Sequence, residues 1–345
     1  MQPPTDVKKI IAPYTAAIDS ELQKLFSTMP DLAMYGHLGY FMGFKNEQLE
    51  DEVVYGGKRF RSSAMLMLAD WYGKKEKALP FATALELYHN FTLIHDDVVD
   101  RDTHRRGRPT VWHLFGHDHA FNSRDAQILL MAEMLAEAAG AGVAGHKTQQ
   151  FLLQQFRVVV EGQFLDFELT AAKLGDSLVT QAVYEDMIRR KTAELIVAAT
   201  KGAGLVSEQN EAELTHLENY GRSLGMAYQV CDDVVSVWAD GTTTGKRNYG
   251  DLKEKKKTLP ILFAHEKLEA IKRKQLEELY AQEELSDDDC LLVIELLDSV
   301  DTKATMERTF TDYANTAKES ARALSVTKEQ QETLCALVDS LLPKL

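Results

Sequence analysis

Two short clusters of aspartates are the residues whose type and spacing could do chemistry. The first, LIHDDVVD, places Asp96, Asp97 and Asp100 at the end of an apolar helical pattern. Helical residues four apart differ by about 40° of rotation and about 6 Å of rise, so Asp96 and Asp100 share one face. Like charges there repel, and the C-terminal end of a helix dipole already disfavours anions. The spacing therefore indicates either a bound counter-ion or a solvated acidic helix end.

The second cluster, YQVCDDVVS, places Asp232 and Asp233 at the end of another apolar helical pattern. Hard carboxylate oxygens without a nearby set of imidazole and thiolate ligands favour Mg²⁺ or Mn²⁺ over zinc. Between the clusters, Gln163 and Asp166 are polar residues on an apolar helix, where a satisfied core hydrogen bond is equally compatible with the pattern.

Basic residues follow or precede each aspartate cluster, and they predict a ligand that carries anionic oxygens. Guanidinium groups pair with phosphate in bidentate fashion, and the free amides of a helix N-terminus also suit phosphate. The alternative is a set of solvated turns and a surface charge run. The basic residues are Lys58 and Arg61 in GGKRFR, Arg105, Arg106 and Arg108 in RRGRPT, and Lys246 followed by DLKEKKKTLP at residues 251–260.

Helices are the elements that must position these residues. Apolar residues recur at spacings of three and four through a helix predicted to open at Pro80, because proline suits the first helical turn. The same period predicts helices over residues 146–172, 177–202, 208–238 and 257–280. No stretch shows the signature of a paired strand, and no linker divides the chain. The prediction is one all-α domain over residues 1–345.

The composition narrows the class of protein. The 345 residues contain 39 Lys and Arg against 53 Asp and Glu, a net charge of -14, which argues against nucleic-acid binding. Three widely spaced cysteines predict neither a disulfide framework nor a zinc site, and they favour a reducing, cytoplasmic location. The N-terminus has no secretory pattern. Glu133 and Glu137 make residues 126–145 a packed helix and not a membrane span.

Taken together, the motifs resemble the trans-isoprenyl diphosphate synthase, or polyprenyl synthetase, family. They occur in family order as GGKRFR, LIHDDVVD, RRGRPT, EGQFLD, KTAEL, YQVCDD and GK followed by DLKEKKKTLP. The resemblance implies the all-α isoprenoid synthase fold, a bundle of antiparallel helices around a central cavity, usually as a homodimer. It also implies head-to-tail condensation of isopentenyl diphosphate with an allylic diphosphate, using three Mg²⁺ ions.

The resemblance also assigns roles by position. Metal binding falls to Asp96, Asp100 and Asp232, with Asp97 and Asp233 in support. The predicted ligands of the allylic diphosphate are Arg105, Lys191, Lys246 and Lys256. Those of isopentenyl diphosphate are Lys58, Arg61, His89 and Arg106. Thr192 and Gln229 line the reacting centre.

Product length in this family depends on bulk at the fourth and fifth residues before the first aspartate, here Thr92 and Phe91. The combination of small Thr92 at the fourth position and large Phe91 at the fifth resembles the pattern of enzymes that form geranylgeranyl diphosphate. Phe91 precedes Asp96 by roughly 7 to 8 Å along the helix, but it lies about 140° around from it. A plain core phenylalanine is therefore also compatible with the geometry. A farnesyl or longer-chain synthase is the alternative product class.

Two departures from the family pattern and two other protein classes complete the expectations. Ser236 stands where a third aspartate is usual, which predicts weaker metal binding or slower turnover, and Lys255 replaces a common glycine. A non-catalytic subunit of a heteromeric synthase would have lost aspartates and phosphate ligands that this chain retains. A terpene cyclase would have no need of GGKRFR and RRGRPT, because it holds no second diphosphate substrate.

Overall fold

Helices dominate the chain in the computed structural model, which describes residues 7–54, 56–140, 142–238 and 249–340. The backbone divides into two compact units. The first unit comprises the described residues up to Gln154 together with Ala198–Leu214, and the second comprises Gln155–Val197 together with the described residues from Thr215 onward. The all-α prediction is confirmed, whereas the organisation of residues 1–345 as a single domain stays a prediction.

The first unit contains both the GGKRFR and LIHDDVVD motifs. Helix α4 is its centre, because it packs against α1, α3, α5 and α6. The elements that begin before Gln155 are α1 (Val7–Ser27), α2 (Ala33–Met42), α3 (Phe60–Trp71), α4 (Lys75–Val99), β1 (His104–Arg105), β2 (Arg108–Pro109), α5 (Val111–Phe115), α6 (His117–Ala139) and α7 (Val143–Ala171).

The second unit contains the YQVCDD motif. After α8 (Gln181–Ile188) the helix changes to one π-helical segment (Arg189–Ala193) and continues as α9 (Glu194–Val206). The remaining elements are α10 (Glu211–Trp238), α11 (Gly250–Lys253), α12 (Leu259–Lys267), α13 (Ala270–Ala281), α14 (Asp287–Asp298), α15 (Thr302–Arg322) and α16 (Lys328–Asp339). Within this unit α12 packs against α8, α13, α14 and α15.

Helix α4 does not open at Pro80. It begins at Lys75, and Pro80 lies inside it. Proline removes one helical N–H and normally ends or kinks a helix. Here the first turn is already closed, because the Ala78 amide donates to the Lys74 carbonyl at 3.1 Å, and Ala78 is fully buried. Packing of the residues before Pro80 therefore outweighs the lost bond.

Three further predictions about elements needed correction. The RRGRP segment forms an antiparallel hairpin, β1 with β2, where no strand pairing was expected. Residues 177–202 are not one regular α-helix, because the π-helical segment interrupts them. The predicted helix at 257–280 is broken at Leu268 and Glu269, both of which have extended backbone angles. Periodicity detects the apolar faces but not these short interruptions.

Two expectations about the chain as a whole agree with the structure. Cys290 and Cys335 are free thiols, in agreement with the prediction that the cysteines form no disulfide framework. None of the helices in the described ranges combines the length and apolar character that a membrane span requires.

Candidate functional site

The GGKRFR motif forms a loop that ends in the first turn of α3, as predicted from the sequence. Arg59 caps the helix in the left-handed conformation, with φ of 46°, and only 4% of it is exposed. Its guanidinium donates to the carbonyls of Gly56 at 2.9 Å and Met42 at 2.6 Å, and to Asp19 Oδ1 at 2.9 Å. Lys58, one residue earlier, is exposed. The buried arginine therefore fixes the loop that presents Lys58.

A buried carboxylate on α4 completes this arrangement. Glu86 is 2% exposed and accepts hydrogen bonds from Arg59 Nη1 at 3.2 Å, Ser62 Oγ at 2.7 Å and Asn90 Nδ2 at 2.7 Å. A buried charge is tolerated when it is paired and hydrogen-bonded in this way. The network ties the start of α3 to α4, one helical turn before His89.

Arg61, His89 and Arg106 come together beside the same loop. Arg61 Nη1 lies 3.1 Å from His89 Nε2. The Arg106 guanidinium donates to the Gly56 carbonyl, and a Cβ atom at Gly57 would lie 2.6 Å from Arg106 Cζ. Burial, followed by the neighbouring arginines, lowers the pKa of His89 well below its usual value. His89 is therefore neutral, and it accepts from Arg61 at Nε2 because guanidinium only donates.

The β1–β2 hairpin places Arg105 at the end of β1 and Arg106 on the tight turn, where Arg106 and Gly107 have φ of 54° and 79°. Arg105 Nε donates to Asp97 Oδ1 at 2.5 Å. Burial raises the pKa of Asp97 to about 6, against the opposing effect of Arg105. The hairpin thus links the GGKRFR loop, through Arg106, to the first aspartate cluster, through Arg105.

The first aspartate cluster ends α4 as predicted. Helix α4 closes at Val99, and the Asp100 amide donates to the Asp96 carbonyl at 2.8 Å. Among the residues described, no three His, Cys, Asp or Glu side chains already converge as a metal-binding group. The donor set still fits Mg²⁺, which proteins commonly hold through one or two carboxylates plus water and substrate phosphates. Oδ2 of Asp97 is buried without a hydrogen-bond partner in the described ranges.

In the second unit, Asp233 is the centre of a buried hydrogen-bonded group on α10. Its carboxylate accepts from Tyr184 Oη at 2.7 Å, Gln229 Nε2 at 3.0 Å and the Leu259 amide at 3.3 Å. Burial raises its pKa to about 7, although these hydrogen bonds oppose the shift. The Thr192 hydroxyl donates to Gln229 Oε1 at 3.0 Å. Thr192, Gln229 and Asp233 therefore form one connected set.

The π-helical segment positions Lys191 and Thr192. Lys191 Nζ lies 2.6 Å from Asp166 Oδ2, which gives this aspartate of EGQFLD an ion-pair partner. Glycines lie on both sides of the segment. A Cβ at Gly162 would lie 2.4 Å from the Lys191 nitrogen, and one at Gly225 would lie 2.4 Å from Ala193 Cα. The neighbouring helices α7 and α10 can approach the segment this closely only because these residues lack side chains.

Three other predicted residues of the second unit are described, one on α10 and two in the segment between α11 and α12. Lys256 is exposed and pairs with Glu254 at 2.8 Å and Asp251 at 3.4 Å. Ser236 Oγ donates to the Asp233 carbonyl at 2.9 Å. Lys255, at the common glycine position, has φ of 52°, the left-handed conformation that favours glycine. Lys246 lies outside the described residues.

The two residues predicted to set product length are half-buried on α4. The Phe91 ring lies 5.8 Å from the ring of Tyr88, and the Thr92 hydroxyl donates to the His89 carbonyl at 2.7 Å. Arg124 of α6 lies over the Phe91 ring, with its Cζ 5.3 Å from the ring centroid. Phe91 therefore faces α6, in agreement with its angular separation from Asp96.

Sequence reasoning did not assign roles to several residues that support the site. A charged residue in the apolar run ALELYHNF was an available signal for Glu86. No comparable local signal existed for the remainder, because their contacts join distant parts of the chain. These residues are Arg59, Tyr184, Arg124, Gly162 and Gly225.

Comparison with known proteins places these motifs in one family. The sequence profile of the family described as Polyprenyl synthetase matches residues 46–297, a range that contains both aspartate clusters. A short chain isoprenyl diphosphate synthase of Methanocaldococcus jannaschii is 34% identical over 70% of this chain and 72% of its own length. A geranylgeranyl diphosphate synthase of Methanosarcina mazei is 36% identical over 61% of this chain and 64% of its own length.

The structural comparison agrees. A crystal structure of a polyprenyl synthetase from Streptomyces coelicolor A3(2) superimposes with a TM-score of 0.87 at 25% identity, over 98% of this chain and 100% of that one. The helical bundle is therefore that of the isoprenoid synthases. With most of its length matched by the family profile and by similar sequences, the chain belongs to the polyprenyl synthetase family.

Proposed function

We propose that this trans-prenyltransferase condenses isopentenyl diphosphate with an allylic diphosphate, head to tail, and forms geranylgeranyl diphosphate as its main product. The observation that carries the proposal is the grouping of Arg61, His89 and Arg106 against the GGKRFR loop, beside the aspartates of LIHDDVVD. Such a concentration of cations suits a diphosphate, and the adjacent carboxylates suit the divalent ions that accompany one.

The first unit would bind isopentenyl diphosphate through Lys58, Arg61, His89 and Arg106. His89 is neutral and accepts from Arg61 at Nε2, so its remaining proton is on Nδ1. In the described ranges this buried Nδ1 has no hydrogen-bond partner. It can therefore donate to a diphosphate oxygen without giving up another bond.

The aspartates would hold Mg²⁺ through Asp96 and Asp100 of the first cluster and Asp232 of the second, and three ions are expected. When bound, Mg²⁺ neutralises the negative charge that develops on the departing diphosphate. Arg105, Lys191, Lys246 and Lys256 would contribute positive charge to the same allylic diphosphate. Asp97 would orient Arg105, and Asp233 would orient Gln229 and, through it, Thr192.

The product length would be set by Phe91 beneath the growing chain, with small Thr92 leaving room above it. Phe91→Ala is expected to lengthen the products, because truncation would remove the ring that is proposed to block the growing chain. An unchanged product length would show that Phe91 is only a packing residue.

The enzyme is further proposed to act as a homodimer in the cytoplasm. On α7, the large apolar side chains of Val160, Phe164 and Phe167 are 55%, 61% and 36% exposed. Their spacing of four and three places them on one face, typical of a helix that packs against a partner. Light scattering of the wild type should give the dimer mass, and Phe164→Glu should shift it toward the monomer.

A condensation assay with labelled isopentenyl diphosphate and farnesyl diphosphate tests the proposed chemistry. Label should enter a longer prenyl diphosphate with Mg²⁺ but not with excess chelator. Asp96→Asn should abolish incorporation, whereas Asp298→Asn, a surface carboxylate on α14, should not. A folded wild type that binds substrates but forms no product would favour a non-catalytic subunit, and a cyclised hydrocarbon product would favour a terpene cyclase.

A further inference from the structure

We infer that Arg124 is a specificity-determining residue, which forms with Phe91 a two-layer floor that limits the length of the prenyl product. The inference rests on the proposed prenyltransferase function and deepens its account of product length. Arg124 lies on α6 and belongs to no motif of the sequence. Its side chain is 19% exposed and therefore largely buried against α4.

The guanidinium of Arg124 holds two aromatic rings. Its Cζ lies 5.3 Å from the centroid of Phe91 and 5.1 Å from that of Phe121. The other neighbour of Phe91 is the buried Tyr88 ring, at 5.8 Å. A cation within about 6 Å of an aromatic ring stabilises it, most strongly where water is excluded. The Phe91 ring is therefore restricted by a cation on α6 and by an aromatic ring on its own helix.

Polar partners on both helices fix the position of Arg124. Its Nη1 lies 2.6 Å from His95 Nδ1, on the residue next to Asp96, and its Nη2 lies 2.9 Å from Asp125 Oδ1. Because guanidinium only donates, His95 accepts at Nδ1. Three residues further along α6, Gln127 donates to the Leu87 carbonyl at 2.7 Å and holds α6 against α4. The guanidinium is thus held in a fixed position beside the ring.

The two layers oppose an apolar chain in different ways. Phe91 blocks it by bulk. A chain that displaced the ring would next meet a guanidinium, and covering that charge with hydrocarbon would cost its hydrogen bonds and its hydration. Bulk and charge together therefore define the floor, and removing either layer should weaken it.

The test compares the product-length distributions of folded variants, with dimethylallyl diphosphate as primer and Mg²⁺ present. Arg124→Met keeps most of the side-chain volume and removes the charge. We expect the share of products longer than geranylgeranyl diphosphate to rise by about 2- to 30-fold, the ratio that corresponds to ~0.5–2 kcal/mol of cation–π stabilisation. Arg124→Lys retains a cation and should stay near the wild type. The double variant with Phe91→Ala should give longer products than either single one.

The controls separate this inference from the function on which it rests. Arg308→Met, at an exposed position on α15, removes an arginine distant in sequence from the floor and should leave the distribution unchanged. A wild type that forms no condensation product would overturn the proposed function and this inference with it. A wild type that forms geranylgeranyl diphosphate, with Arg124→Met giving the same distribution, would overturn the role of Arg124 alone. If Arg124→Met does not fold, Arg124→Gln supplies the uncharged variant for the same comparison.

Discussion

Gly225→Ala provides a sharp test of how the π-helical segment positions Lys191 and Thr192. The added Cβ would lie 2.4 Å from Ala193 Cα and 2.7 Å from Ala193 Cβ. Carbon atoms in favourable contact are about 3.5–4.0 Å apart, so α10 and the segment would have to separate by about 1 Å. Neither obstructing atom can rotate away, since one is backbone and the other is the Cβ of alanine.

The magnitude follows from two opposing effects. Overpacking lowers the free energy of unfolding by about 1–3 kcal/mol. Replacing a helical glycine by alanine raises it by about 1 kcal/mol, because alanine has the higher helix propensity. We expect a net loss of up to ~2 kcal/mol in the free energy of unfolding. The effect on catalysis should be larger, because a displacement of about 1 Å at a reacting centre can reduce turnover about 100-fold.

Urea denaturation and the condensation assay measure the two effects in the same preparations. Gly202→Ala is the matched control, since its Cβ would meet only the flexible ends of Met65 and Leu152, at 3.3 and 3.4 Å. The control should keep its activity and its stability. If Gly225→Ala were as active and as stable as Gly202→Ala, the close approach of α10 would have no part in positioning Lys191 and Thr192.

Four further predictions concern other parts of the chain. Arg59→Met should lower the free energy of unfolding by about 3–5 kcal/mol in urea, because it leaves a buried carboxylate without its cation; a loss below about 1 kcal/mol would contradict that pairing. Lys255→Gly should leave stability unchanged or raise it by up to about 1 kcal/mol, because φ of 52° suits glycine, whereas Lys274→Gly inside α13 should cost about 1 kcal/mol. Ser236→Asp should raise the affinity for Mg²⁺ in calorimetry, and no gain would count against a metal-site role for this position. Burial and, as the smaller effect, the charge of His119 lower the pKa of His37. The contribution of His37 to the free energy of unfolding should therefore be complete above about pH 6.5 and be lost as the pH drops through the folded-state pKa. His37→Gln should flatten this acid decline in urea titrations at pH 5 to 7, and an unchanged slope would refute the assignment.

The sequence predicted the parts of the fold and site that depend on local patterns. Helical periodicity located α4 and α10 and placed the aspartates of both clusters near their ends. The glycine and arginines of RRGRPT predicted the turn on which Arg106 lies, next to Arg105. These features follow from spacing and turn chemistry within a few residues, so they can be recognised without the fold.

The remainder depends on contacts between distant segments. The π-helical segment forms where glycines of α7 and α10 meet it, and no residue within RRKTA signals such an interruption. The left-handed conformation of Arg59 is stabilised by Glu86 on another helix. The contact of Arg124 with Phe91 joins α6 to α4. Tertiary packing overrides local preference at each of these places.

The proposed function is tested most directly by the mass of the product that the purified chain forms from isopentenyl diphosphate and dimethylallyl diphosphate in the presence of Mg²⁺. We expect a linear twenty-carbon prenyl diphosphate, lost when the metal is chelated. A folded wild-type chain that yields no elongated prenyl diphosphate with dimethylallyl, geranyl or farnesyl diphosphate would contradict the proposed function.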